Sequence, residues 1–470
     1  MYSTMETKQL LKNNVLQALF LFWGLFALNA CDDNSNGSTH DPGKPVEVIS
    51  FSPLEGAAKT RLYITGKNFG TDVSKIFVKI GGVNAKVIGS DGEIIYCLVP
   101  FGVSADGTVE VAVGEDAASA QYVPADQTFG YKKTRQVKTL CGYVDEYGKS
   151  EAKDGSFDIC GFAQPRWLAV DPQNQHQLYL VDGVAGDNIR ILDVEKRTVS
   201  TMLSKGQGGW NQIRQISFTV TGDTLLVANE ESKDDAVAVA MLLRTQNYQQ
   251  PTAVCYANEN NACCTNPTNG ELYFNSRKDG TLYRYDWETQ ERDNLGTVLN
   301  GKSAQFFIFF HPEGDYAYIC VPNQRVIMKA EYDHEKKTLK TPTLFCGSVG
   351  YQDYKDGNGT NARLGNPMQG VFVKNEEYIR EGKEDHYDFY FCDQYAHAIR
   401  YVTPDADVRT FAGRGSKGLN DDPKGYIDGE LLEEARFNQP QGLTFDSENG
   451  IFYIAEYENK RIRTISLNAE

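Results

Sequence analysis

Few side chains in this 470-residue chain are placed to do chemistry. Six histidines stand at positions 40, 176, 311, 334, 386 and 397, and none lies in an H-E-x-x-H pattern. There is no paired C-x-x-C motif and no G-x-S-x-G elbow, so multi-histidine or thiolate metal sites and serine hydrolysis lack their signatures. The sequence therefore nominates no catalytic residue, no resident metal and no cofactor. Asp353-x-x-Asp356-Gly-Asn358 has the composition of a calcium loop but departs from its D-x-[DN]-x-[DN]-G spacing. What remains is a set of acids at strand ends (Asp182, Asp393 and Glu456) and a set of loop aromatics. The aromatics are Trp210, Tyr351, Tyr354, Tyr395, Tyr426 and Tyr457. A flat ring covers the C–H face of a sugar, while amides and acids answer its hydroxyls. These six are the candidate ligand-binding residues, and a neutral glycan is the ligand that suits them.

Loops need carriers, and these are visible as repeats. Six segments share one strand pattern: Leu178-Tyr-Leu-Val-Asp182, Leu225-Leu-Val-Ala-Asn229, Leu272-Tyr-Phe-Asn-Ser276, Ala317-Tyr-Ile-Cys-Val321, Phe389-Tyr-Phe-Cys-Asp393 and Phe452-Tyr-Ile-Ala-Glu456. Their starts are 47, 47, 45, 72 and 63 residues apart, the interval of propeller blades, with insertions in the longer gaps. A second pattern precedes three of them. It reads Asp154-Gly155…Phe162-Ala-Gln-Pro165, Asp356-Gly357…Ala362-Arg-Leu-Gly-Asn-Pro367 and Asp428-Gly429…Ala435-Arg-Phe-Asn-Gln-Pro440. A third follows: Ile189-Arg-Ile, Ile399-Arg-Tyr and Ile462-Arg-Thr, leading twice into Val-x-Thr at 199–201 and 408–410. An active site is needed once, so Asp-Gly repeated in three blades favours a turn-capping role. This grammar resembles the NHL-repeat family of β-propellers and implies six blades over residues 131–470. It is weakest over about 205–345, where the strand pattern alone survives. The sixth blade runs out at Leu467 before any Val-x-Thr strand, and Arg135-Gln-Val-Lys-Thr-Leu-Cys-Gly142 is a spare copy of it. That segment is expected to close the ring and so to cover both open edges.

Residues 45–128 read as short strands of period two between Gly, Pro and Asn turns, the pattern of a β-sandwich. The order S-x-S-P-x-x-G, I-T-G-x-N-F-G, I-G-G and V-P resembles the IPT/TIG family of immunoglobulin-like domains. That resemblance implies a spacer or docking module. Gly66 and Gly70 bracket Asn68-Phe69, where the turn is expected to need positive φ. The fold class is thus all-β: an immunoglobulin-like β-sandwich followed by a six-bladed NHL-type β-propeller.

The N-terminus carries an address. Lys8 and Lys12 precede a fourteen-residue apolar run, 15–28, the length of a secretory signal and short for a bilayer span. It ends in Leu28-Asn29-Ala30-Cys31, which resembles a bacterial lipobox and implies removal of residues 1–30 and acylation of Cys31. Asp32-Asp33-Asn34 opens the 31–44 linker and resembles the surface-export signal of Bacteroidota-type lipoproteins. The expected place is the outer membrane, facing the exterior and held by the lipid anchor only, with periplasm-facing retention as the alternative. Forty-seven basic against 63 acidic residues give a net charge of −16, which argues against nucleic acid as a partner. Nine cysteines follow Cys31, several within apolar strand patterns, and mostly free thiols are expected.

Anchor, linker, sandwich and propeller together resemble the accessory surface lipoproteins of glycan-uptake systems in gut Gram-negative anaerobes. The resemblance implies a protein that holds polysaccharide beside an outer-membrane transporter and its partner lipoproteins. Two other readings stand beside it. One is a scaffold that binds those proteins and no glycan. The other is a lactonase-like, metal-dependent hydrolase with Asp182, Asp393 and Glu456 around its axis.

Overall fold

The computed structural model describes residues 39–100, 102–104, 107–184, 188–298, 305–414 and 422–467. The signal segment and Cys31 lie outside these residues. Among the described residues no helix is long and apolar enough to cross a membrane. The chain divides into two compact units between Lys133 and Thr134.

The first unit is a β-sandwich. Its seven-stranded path runs Glu47–Ser52, Arg61–Gly70, Gly92–Leu98, Val83–Ser90, Ile76–Ile80, Thr108–Val113 and Val123–Thr128. Alternation along Arg61–Gly70 buries Leu62 and Ile64, which pack with Ile80, Ile95, Val109 and Val111. Period-two burial of this kind is what one covered sheet face requires. The Gly66–Gly70 turn differs from the expectation of two positive-φ glycines. Gly70 has φ +76° and Asn68 itself has φ +63°, but Gly66 does not lie in that region. Gly66 is glycine for space, because a Cβ there would stand 2.0 Å from the Glu47 carbonyl and 2.3 Å from the Phe69 ring. Asn68 in turn holds the described end of the linker. Its amide donates to the carbonyls of Asp41 and Lys44 and accepts from the Asp41 N–H at 2.7 Å. Gly130–Tyr131 pairs in parallel with Glu55–Gly56, which keeps those residues in the first unit and starts the second at Thr134.

The second unit is a six-bladed propeller. Each blade is one antiparallel sheet whose strands follow in chain order from the axis outward, as Trp167–Asp171, Asn174–Asp182, Asn188–Asp193 and Thr198–Leu203 do in the first. The second strands are buried along most of their repeated segment, and Tyr316–Val321 throughout, because neighbouring blades cover both of their faces. Such strands lose alternation and read as continuous apolar runs, which is the pattern repeated in the sequence. The sixth blade is completed from the front of the domain. Arg135–Cys141 pairs antiparallel with Arg461–Leu467 over its whole length and with Gly429–Glu430 on its other side.

In blades 1, 5 and 6 the repeated D-G, acid, I-R and V-x-T positions meet in one cluster around a buried arginine. In blade 1, Arg190 Nη1 lies 3.0 Å from Asp182 and Nη2 lies 2.9 Å from Asp154. Asp154 then accepts from the N–H and hydroxyl of Thr201. Blade 5 repeats this with Arg400, Asp393, Asp356 and Thr410. Blade 6 repeats it with Arg463, Glu456, Asp428 and Thr139, the last supplied by the ring-closing strand. Blades 2 and 3 use Asn229 and Asn275, whose amide oxygens accept the same pair of first-strand N–H groups that Asp182 accepts in blade 1. A neutral amide does the work of the acid there, and Ala240 takes the arginine's register position in blade 2.

Candidate functional site

The axis of the ring is filled, not open. Trp167 of blade 1 packs on Phe307 of the opposite blade 4 with ring centroids 4.8 Å apart, and stacks on Phe309 at 6.0 Å. Gln369 of blade 5 accepts from the N–H groups of Leu168 and Leu443 and donates to the Leu168 carbonyl, tying blades 1, 5 and 6 together below the rings. Above this plug lies a cup of about 260 Å³. Trp167, Phe307, Ile213 and Met368 form its floor, and first-strand starts supply Arg166, Arg214, Gln305, Asn366, Gln439 and Gln441 to its walls. Gln394, Tyr395 and Tyr457 come from the loops that follow the second strands of blades 5 and 6.

The polar wall is organised before any ligand arrives. The Asn366 amide donates to Gln394 Oε1 at 2.7 Å, and Gln394 Nε2 donates to Gln439 Oε1 at 3.0 Å. Arg166 stands over the Tyr457 ring, 5.0 Å from its centroid, and donates to Gln164 and the Val184 carbonyl. Arg214 Nε pairs with Glu230, which also receives Arg277 Nη1 at 2.7 Å and the Asn261 amide. Among the described lining residues there is no carboxylate, imidazole or thiol. The cup can therefore stack, donate and accept, and its ionisable side chains are Arg166, Arg214 and the phenols of Tyr395 and Tyr457.

The six candidate aromatics separate. Tyr395 and Tyr457 share the cup. Tyr354 and Tyr426 are structural counterparts in blades 5 and 6: each hydroxyl bonds the Val-x-Thr threonine, Thr410 at 2.6 Å or Thr139 at 2.9 Å. Each ring also lies under a guanidinium, Arg414 at 3.8 Å and Arg461 at 4.0 Å. Tyr351 is 68% exposed and does not line the cup. Trp210 is 5% exposed, packs in the core cluster and lines a separate hollow of about 180 Å³ beside Gly208 and Pro251, apart from the cup. A Trp210→Ala variant is expected to lose about 3–5 kcal/mol of stability in denaturant titration, the cost of a large core cavity. Any ligand that the folded variant binds should be held as by the parent.

The acids nominated around the axis are also reassigned. Asp182, Asp393 and Glu456 are fully buried and saturated by arginine and backbone donors, so they are not positioned to hold a metal in the cup. Asp356, of the calcium-like loop, is bound to Arg400 and Thr410. The polar wall was not anticipated from the sequence. Its signal is the residue before the first-strand proline, Asn366-Pro367 and Gln439-Pro440, where an amide recurs at the rim.

Comparison with known proteins agrees with this architecture. The IPT/TIG domain family matches residues 45–131, and the NHL repeat family matches residues 437–465. The chain is 41% identical to an auxiliary nutrient binding protein of Bacteroides thetaiotaomicron of known structure, covering 92% of this chain and 100% of that one with a TM-score of 0.84. A second such protein, from Bacteroides ovatus, is 33% identical over 92% of this chain and 100% of its own, with a TM-score of 0.71. A suggested phosphatase of Bacteroides thetaiotaomicron is 36% identical over 92% of this chain and 99% of its own, with a TM-score of 0.79. NHL repeat-containing protein 2 of Bos taurus is 23% identical over 345 residues, 68% of this chain, and the match spans 41% of that longer protein.

Proposed function

This chain belongs to the same family as the solved Bacteroides auxiliary nutrient binding proteins, and from that premise we propose that it is a surface lipoprotein that binds neutral glycan in its axial cup. It is anchored through Cys31 in the outer membrane, faces the exterior, and serves an outer-membrane transporter and its partner lipoproteins. The observation that carries the binding role is the composition of the cup. An aromatic floor, two rim tyrosines and a chain of side-chain amides suit a sugar's C–H face and hydroxyls, and no carboxylate is among the described lining residues. The cup is small beside ligand pockets of roughly 300–1,000 Å³. With its floor closed by Trp167 and Phe307, it takes the end of a chain, not a segment threaded through.

The test is retention of the 32–470 protein in native gels cast with neutral and anionic polysaccharides. We expect one neutral glycan to retard it, and Tyr395→Ala or Tyr457→Ala to weaken that binding about tenfold, or roughly 1.4 kcal/mol. Tyr351→Ala should leave it unchanged. Retardation by none of the glycans would refute glycan binding and favour a protein-binding scaffold. Retention of full binding in both cup variants would remove the site from the cup.

A further inference from the structure

Two cysteines sit at positions that the repeat makes comparable between blades. Cys141 ends the ring-closing strand and precedes Gly142 (φ +115°); the matching strand ends are Cys346-Gly347 (φ +93°) and Ala412-Gly413 (φ +102°). At each of these glycines a Cβ would strike a backbone carbonyl: Lys460 at 2.7 Å, Arg325 at 2.4 Å or His397 at 2.8 Å. The facing positions are set by three isolated bridges, Lys153 with Gly161, Lys355 with Arg363 and Ile427 with Arg436. They bring Cys160, Ala362 and Ala435 into correspondence. The same pair of positions thus holds Ala412 and Ala435 at the junction of blades 5 and 6, and Cys346 and Ala362 at that of blades 4 and 5. Where the ring closes, it holds two cysteines.

The two cysteines, both free thiols in this structure, are neighbours: both lie in the apolar cluster between blades 6 and 1, and the N–H of Tyr143, two residues beyond Cys141, donates to the Cys160 carbonyl at 2.6 Å. We propose that Cys141 and Cys160 form a disulfide in the exported protein, a covalent staple at the point where the ring closes. The pairing stands on the geometry; its oxidation in the cell rests on the export proposed above, since exported chains meet an oxidising compartment.

The chemistry has a direction. Hydrogen bonds from the Cys141 thiol and the Gly142 N–H, with the nearby Arg190 charge, hold the Cys160 thiol below its ordinary value, while burial pushes Cys141 well up. Both thiols are buried in the closed ring, so a carrier reaches Cys160 while the closing strand is still open. Its thiolate attacks one sulfur of a carrier disulfide, such as a protein thiol oxidase or oxidised glutathione, and expels one carrier thiolate. Cys141 then loses its proton and attacks Cys160 Sγ, expelling the second carrier thiolate. One S–S bond forms, one breaks, and the carrier takes the two electrons.

The full chain, exported with its own leader, is alkylated under denaturing, non-reducing conditions and digested with trypsin. The expected product is peptide 139–149 joined to peptide 154–166. Reductant should separate the two and lower the melting temperature by about 5 °C, the effect of opening a short cross-linked loop. Cys160→Ala installs the residue that Ala362 and Ala435 already represent, so it should fold and melt with no response to reductant. Both peptides found fully alkylated after export and after refolding with oxidised glutathione would overturn the proposal, as would a reductant-sensitive melt in Cys160→Ala. Joining by glutathione but not after export would keep the pair and refute the export reading instead.

Discussion

Replacing residues 134–142 by a flexible linker of equal length is expected to unfold the whole propeller, not to fray one blade. The segment's register runs from Arg135 opposite Leu467 to Cys141 opposite Ile462, so the last strand of blade 6 would lose its entire outer ladder. Gly429–Glu430 would lose its partner as well. Val137 is fully buried in the cluster around the axis, and Thr139 supplies two of the donors that hold Asp428. A ring has no terminal repeat to shield an open side, so blade 6 would expose both a strand edge and the wedge it shares with blade 1. These losses together are on the order of a domain's whole stability of about 5–15 kcal/mol. Starting at 134 spares Gly130–Tyr131 and with it the sandwich. Thermal unfolding of the full chain should then show the sandwich transition alone. A cooperative propeller transition within about 5 °C of the parent would show that the closure is dispensable.

Much of this fold could be read before any coordinates, because it is written in repeats. Ala317-Tyr-Ile-Cys-Val321 and its five counterparts are recognisable since each is covered on both faces and is apolar along most of its length. The missing Val-x-Thr of blade 6 pointed to Arg135–Cys141, and the observed register places Val137 and Thr139 where that motif belongs. The candidate site was less legible. Trp210 and Tyr457 both fall in loops by sequence, yet Trp210 folds inward while Tyr457 reaches the rim. Loop conformation decides which way a ring faces, and periodicity says nothing about it. The amide wall was missed for a different reason. Asn366, Gln394 and Gln439 belong to separate segments and make one surface only once the blades close around the axis. Tyr354 and Tyr426 were candidates for sugar as loop aromatics. In the fold each packs on arginine and caps a threonine.

Arg463→Met is expected to cost about 3–5 kcal/mol, because it leaves a buried carboxylate without its cation. Glu456 and Arg463 have no exposed side-chain surface and lie 2.8 Å apart. Burial pushes the Glu456 carboxyl up and would pull Arg463 down, and the charges and hydrogen bonds of Glu456 and Asp428 together more than offset the latter. Removing the guanidinium also frees the carbonyls of Arg436 and Ile427 and one side of Asp428, so three elements lose a common tie. The companion variant Arg463→Met, Glu456→Gln tests whether charge or shape is at stake. Blade 2 already lives without the pair, with Asn229 receiving the first-strand N–H groups and Ala240 at the arginine's register. A glutamine at 456 can likewise accept from Asn438, so the double variant should regain at least half of the loss. Urea unfolding of both variants in the full chain measures this directly. A single variant within about 1 kcal/mol of the parent would mean that the cluster is not holding the blade. A double variant no better than the single would mean that the arginine acts through its packing and carbonyl bonds, not by neutralising Glu456.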